Sequence, residues 1–121
     1  MSKRVMVVDD SRLVMVQLEK ILKGTEYEIV ACCRDGEEAI GQYSEVNPDL
    51  VTMDIIMDGI DGLNAAEIIL EEHPGARIVM LSSLAYGDIF EQAKEIGAKG
   101  FVEKPFNREQ LLKAFDEALL N

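Results

Sequence analysis

Five polar residues stand where a short apolar run gives out: Asp9 and Asp10 after VMVV, Asp54 after LVTM, Ser82 after IVML, and Lys104 after GFVE. Three carboxylates gathered in one place repel one another and resist full ionisation, a conflict that a divalent cation relieves. Oxygen-only donors with room left for water suit Mg²⁺, which takes one or two carboxylates together with phosphate oxygens. An aspartate beside such an ion is a feasible nucleophile towards phosphorus, because the metal neutralises the incoming phosphoryl oxygens and holds them in line. Asp54, central and at the end of an apolar run, is the candidate nucleophile, with Asp9 and Asp10 as the metal-holding pair. Lys104 offers a compact positive charge and Ser82 a hydroxyl donor to the same phosphoryl oxygens.

Each of these residues has an ordinary use as well. Asp10 followed by Ser11 suits a helix cap, a lone aspartate after a strand is a common turn residue, Ser82 and Ser83 could begin a loop, and Lys104 before Pro105 could be a solvated turn lysine. Their common position decides the matter, and it depends on the elements that carry them. Apolar runs at 4–8, 28–32, 50–53, 77–81 and 100–103 read as strands and alternate with five stretches of three- and four-residue apolar spacing, the pattern of repeated βα units. Nearly continuous apolar strands indicate a parallel sheet covered on both faces, hence a three-layer, doubly wound (βα)5 α/β domain. In such sheets ligands bind beyond the carboxyl ends of the strands, where all five polar residues fall.

The helices carry their own punctuation. The first places Leu18, Ile21 and Leu22 on one stripe and stops at Gly24; the second opens with Asp35, with Glu38 three residues on to form a reciprocal cap. The third, over 63–72, ends before Pro74 and Gly75. The fourth is expected to bury Ile89, Phe90, Ala93 and Ile96, and the fifth, capped by Asn107, to bury Leu111, Leu112, Phe115 and Leu119.

With 23 acids against 12 bases the formal net charge is −11, which opposes direct binding to nucleic acid or anionic lipid. The four apolar residues before Asp9 are too short for a signal peptide or a membrane span, so a cytoplasmic protein is expected. Cys32 and Cys33 point to opposite sides of a strand and are expected to be reduced and in or near the core; no metal set forms around them. His73, the one histidine, reads as a solvated helix end and a poor phosphohistidine. One domain over 1–121 is expected, with output through a separate partner.

VMVVDDS, LVTMDIIM followed by Asp61 and Gly62, IVMLSS, and GAKGFVEKPF resemble, in order and spacing, the receiver domains of response regulators, closest to single-domain CheY-like proteins. The resemblance covers residues 3 to 120. It implies the flavodoxin-like/CheY-like strand order 2-1-3-4-5 and a stand-alone response regulator that takes a phosphoryl group from a histidine kinase onto Asp54. Asp10 would bind Mg²⁺ directly, Asp9 through water, and the Ile56 carbonyl would complete the protein ligands. A cis bond before Pro105 is implied too. Ser82 would draw towards the phosphoryl oxygens while Phe101, the switch aromatic, turns inward and alters the surface of helix four, strand five and helix five for a downstream partner. The implied state is a monomer or a phosphorylation-dependent dimer, and chemotaxis is one setting; no exposed residue selects it over a phosphorelay or a phosphate sink. Such a protein catalyses only its own phosphorylation and dephosphorylation.

Two departures stand out. Asp58 occupies the position after Met57 where the family usually has proline, adding a fourth carboxylate and freeing the loop, and Phe101 lacks the hydroxyl of the tyrosine found in many chemotaxis members. Ile56 and Leu84, which flank the site in the family, cannot orient an attacking water, so slow intrinsic dephosphorylation is expected. An aspartyl-nucleophile phosphatase usually needs a second aspartate two residues after the nucleophile, where Ile56 stands. A nucleotide- or flavin-binding domain lacks support because no glycine-rich loop follows the first strand. A pseudo-receiver that binds partners without phosphorylation is the alternative.

Overall fold

The computed structural model describes residues 2–83 and 88–120. Strands and helices alternate throughout: β1 (Lys3–Val8), α1 (Arg12–Leu22), β2 (Tyr27–Cys33), α2 (Gly36–Val46), β3 (Leu50–Asp54), α3 (Gly62–Glu72), β4 (Ile78–Ser82), α4 (Ile89–Ile96), β5 (Gly100–Glu103) and α5 (Arg108–Leu120). All pairings are parallel, in the order β2-β1-β3-β4-β5. The doubly wound α/β fold is therefore the one expected.

Strand alternation splits the core into two halves. Met6, Val8, Val51, Met53, Ile78 and Met80 face Ala39, Tyr43, Ala65, Ala66 and Ile69 of α2 and α3 and Ala93 of α4. Val5, Val7, Leu50, Val79 and Leu81 face Val14 and Leu18 of α1 and Leu111 and Phe115 of α5. The central strands β1, β3 and β4 are covered on both sides, which is why their paired stretches Val5–Val8, Leu50–Met53 and Ile78–Leu81 are apolar at every position but Thr52.

Three boundaries differ informatively from the apolar pattern. Asp54 and Ser82 are the last residues of β3 and β4, not the first after them, because their backbones still pair with Leu81 and Glu103. The expected reciprocal cap at α2 is shifted: Asp35 accepts from Glu38 N–H at 2.8 Å, while the Glu38 carboxylate reaches past Asp35 to Arg34 N–H. At α5 the box does close, Asn107 and Gln110 each accepting the other's backbone N–H.

Some side chains sit elsewhere than expected. Phe90 is 48% exposed and packs edge-on against Phe101, with centroids 5.7 Å apart. Leu112 and Leu119 are half-buried. Cys33 is buried but Cys32 is exposed, since successive residues of an edge strand face opposite sides. His73 is half-buried, stacked at 4.5 Å on Tyr43, with Nε2 3.3 Å from Ser44 Oγ, because the end of α3 lies against α2. Among the described residues no helix is long and apolar enough to cross a membrane.

Candidate phosphoryl and metal site

Parallel register delivers the acids. Val8 pairs with Met53 across β1 and β3, so the next residues, Asp9 just beyond β1 and Asp54 at the end of β3, come out beside one another. Both are buried, whereas Asp10 is exposed. Oxygens of Asp9, Asp10 and Asp54 lie within 4.8 Å of one another. On the other flank the Lys104 N–H donates to the Ser82 carbonyl at 2.8 Å, extending the β4–β5 pairing to the site. Ser82 is 1% exposed. Its neighbour Asp54 is thus enclosed between β1 and β4.

The ammonium of Lys104 reaches back over the sheet edge, 2.9 Å from Asp9 Oδ2 and 3.4 Å from Asp54 Oδ1. Burial raises the Asp54 carboxyl above the ordinary aspartate range and the charge of Asp9 adds to that, with Lys104 opposing both. The helix-capping role open to Asp10 falls to Ser11, whose hydroxyl accepts from Val14 N–H, while Asp9 Oδ1 accepts from Ser11 N–H at 2.9 Å. Asp10 is left turned to solvent at the edge of the cluster. A set of carboxylate oxygens, two of them on buried residues and one facing water, fits a small hard cation that keeps part of its hydration shell.

The loop from Ile55 to Asp61 closes the third side. Ile56 is 57% exposed beyond Asp54, and Met57 is buried. Gly62 N–H donates to Ile55 O at 2.8 Å, and a Cβ on Gly62 would fall 1.8 Å from the Asp54 carbonyl oxygen. That approach explains a glycine whose motif position was visible in the sequence but whose purpose was not. The Lys104–Pro105 peptide is cis. Phe101 is half-buried in β5 against the α2–α3–α4 half of the core. Leu84 lies outside the described residues.

Two arginines carried no signal in the sequence. Arg12 and Arg34 line a cleft with Asp9, Asp10, Ser11 and Cys32 beside the cluster. Exposed arginines follow no periodicity, and only the β1–β2 pairing brings position 34 next to position 12.

Residues 5–116 match the family described as response regulator receiver domain. The chemotaxis protein CheY of Listeria monocytogenes is 36% identical over 115 residues, 95% of this chain and 97% of that protein. CheY of Bacillus subtilis is 36% identical over 119 residues, covering 98% and 99%. A chain in the crystal structure of the CheX-CheY-BeF3-Mg+2 complex from Borrelia burgdorferi superposes with a TM-score of 0.92 at 32% identity, over 98% of this chain and 90% of that one. The chain belongs to the response regulator receiver domains, a family of signalling proteins related here to the chemotaxis CheY proteins.

Proposed function

We propose that this protein is a phosphorylation-driven switch that accepts a phosphoryl group from a histidine kinase onto Asp54, with Mg²⁺ held by Asp10, Asp54 and the Ile56 carbonyl and, through water, by Asp9. Receiver domains bind Mg²⁺ at an aspartate cluster. The observation that carries the reading is the convergence of Asp9, Asp10 and Asp54 within 4.8 Å, with Lys104 Nζ in contact with two of them. When bound, Mg²⁺ supplies charge neutralisation for the phosphoryl oxygens. Asp54 provides the attacking oxygen. Lys104, pairing with Asp9 and Asp54 before the reaction, turns its ammonium to the phosphoryl group afterwards.

Ser82 is the proposed hydroxyl donor to the phosphoryl group and Phe101 the aromatic that responds, changing the α4–β5–α5 face offered to a downstream protein. Phosphorylation-dependent dimerisation belongs to the same proposal, as does a cytoplasmic site of action. The exposed side chain of Ile56 offers an attacking water no hydrogen-bonding group, consistent with a long-lived phosphoryl state.

The test is intact mass after incubation with acetyl phosphate, with and without Mg²⁺. Gain of one phosphoryl group only when Mg²⁺ is present supports the reading. No gain in folded wild-type protein would favour the pseudo-receiver.

A further inference from the structure

The loop joining β3 to α3, residues 55–61, contains Asp58 and no proline, so no ring fixes φ within it. Its base is closed by the Gly62 N–H to Ile55 O bond. Its tip is held from outside the loop. Gly59 is in the left-handed region at φ 82°, and the Ile60 N–H that follows donates to Glu37 Oε2 at 3.3 Å. The Glu37 carboxylate lies so close over the turn that a Cβ on Gly59 would be 2.7 Å from its Oε1. The same end of α2 also receives the Ile60 side chain: a Cβ on Gly36 would meet Ile60 Cγ1 at 2.8 Å. A backbone N–H presented by a turn is a natural partner for a carboxylate, and here Ile60 supplies it.

We infer that Glu37 is a positioning residue for the phosphoryl and metal site, strapping the β3–α3 loop through Ile60 N–H and Gly59 so that a hydrogen bond from α2 restrains a turn that no proline stiffens. The inference rests on the receiver reading only for its consequence at the metal. Among the described residues Glu37 makes no hydrogen bond or ion pair with Asp54, Asp9 or Asp10. It acts on the loop that bears the Ile56 carbonyl, and its loss loosens that ligand without changing the carboxylates.

The test compares Glu37→Ala, Glu37→Gln, Asp58→Pro and the double variant Glu37→Ala/Asp58→Pro. Amide hydrogen exchange at Ile60 is read by NMR on metal-free protein, and Mg²⁺ affinity by NMR titration. Glu37→Ala is expected to speed Ile60 exchange about fivefold, the size of one modest hydrogen bond, and to weaken Mg²⁺ binding by roughly two- to fivefold. Glu37→Gln keeps an acceptor without the charge and stays within about twofold of wild type in both. In the Asp58→Pro background the alanine substitution becomes nearly silent for Mg²⁺.

Unchanged Ile60 exchange in Glu37→Ala overturns the strap. Equal weakening of Mg²⁺ binding by Gln and Ala overturns it too, since charge alone would then explain the effect, and so does an undiminished alanine effect in the Asp58→Pro background. Wild-type protein that binds no Mg²⁺ contradicts the receiver reading, and the metal-free exchange comparison then decides the strap by itself.

Discussion

Lys104 Nζ sits 0.5 Å closer to Asp9 than to Asp54, at 2.9 against 3.4 Å, so its ammonium pairs more closely with Asp9 than with the proposed phosphoacceptor. On the proposed function, Lys104 occupies, in part, the electrostatic place that Mg²⁺ would take. Lys104→Met keeps the stem and removes the charge. Metal-free Lys104→Met is expected to be less stable than wild type by about 1–3 kcal/mol at neutral pH, because buried carboxylates lose their partner. Saturating Mg²⁺ should raise its melting temperature by more than it raises that of the wild type. Equal Mg²⁺ shifts in the two proteins would show that lysine and metal do not compete.

The raised Asp54 carboxyl makes a pH prediction. Between the unfolded aspartate value, about 3.9, and its higher folded value, the folded chain keeps a proton that the unfolded chain has released. Stability is thus fully present below the lower value and is lost as pH rises through the upper one. Metal-free Asp54→Asn should melt above the wild type at neutral pH, with the difference closing in acid below that window. Thermal melts across pH without metal check this, and a variant that melts below the wild type at neutral pH would contradict it.

Gly62→Ala places a methyl group 1.8 Å from the Asp54 carbonyl oxygen. The backbone at either Asp54 or the start of α3 must move, at a cost of roughly 1–3 kcal/mol or more. Phosphoryl uptake should fall along with stability, as followed by urea unfolding and intact mass. Wild-type behaviour in both would show that α3 does not set the position of Asp54.

The two neighbouring thiols should behave differently. Burial, helped by Glu38, Cys32 and Asp35, pushes the Cys33 thiol up to about 12, and burial with Glu19 and Glu38 raises the more accessible Cys32. Maleimide labelling of folded protein near pH 8, followed by mass spectrometry, should modify Cys32 slowly and leave Cys33 unmodified until the chain unfolds. Two equally fast labels would mean that the end of β2 opens readily.

Much of this architecture was legible because apolar strands and helical stripes must alternate in a βα domain, and because chemistry in such a fold gathers at one edge. The polar residues at 9, 10, 54, 82 and 104 could be placed there from the sequence. What stayed hidden depended on contacts between segments distant in sequence. Helical spacing put Phe90 on an apolar stripe, yet its neighbour is the half-buried Phe101 and not the core. His73 looked like a solvated terminus until the packing of α3 on α2 set it against Tyr43. Ser11 took the cap that Asp10 could have made, a choice of backbone geometry one residue wide. Glu37 carried no signal at all, since an acid in the first turn of a helix needs no partner beyond the helix itself.

The most direct measurement of the central claim is the chemical location of the phosphoryl group. Protein treated with acetyl phosphate and Mg²⁺ is reduced with borohydride, which converts an aspartyl phosphate to homoserine, and its peptides are mapped by mass spectrometry. Homoserine is expected at position 54 alone, dependent on Mg²⁺ and absent from Asp54→Asn. Modification at Asp9, Asp10 or Asp58, or label retained by Asp54→Asn, would contradict the assignment of Asp54 as the phosphoacceptor.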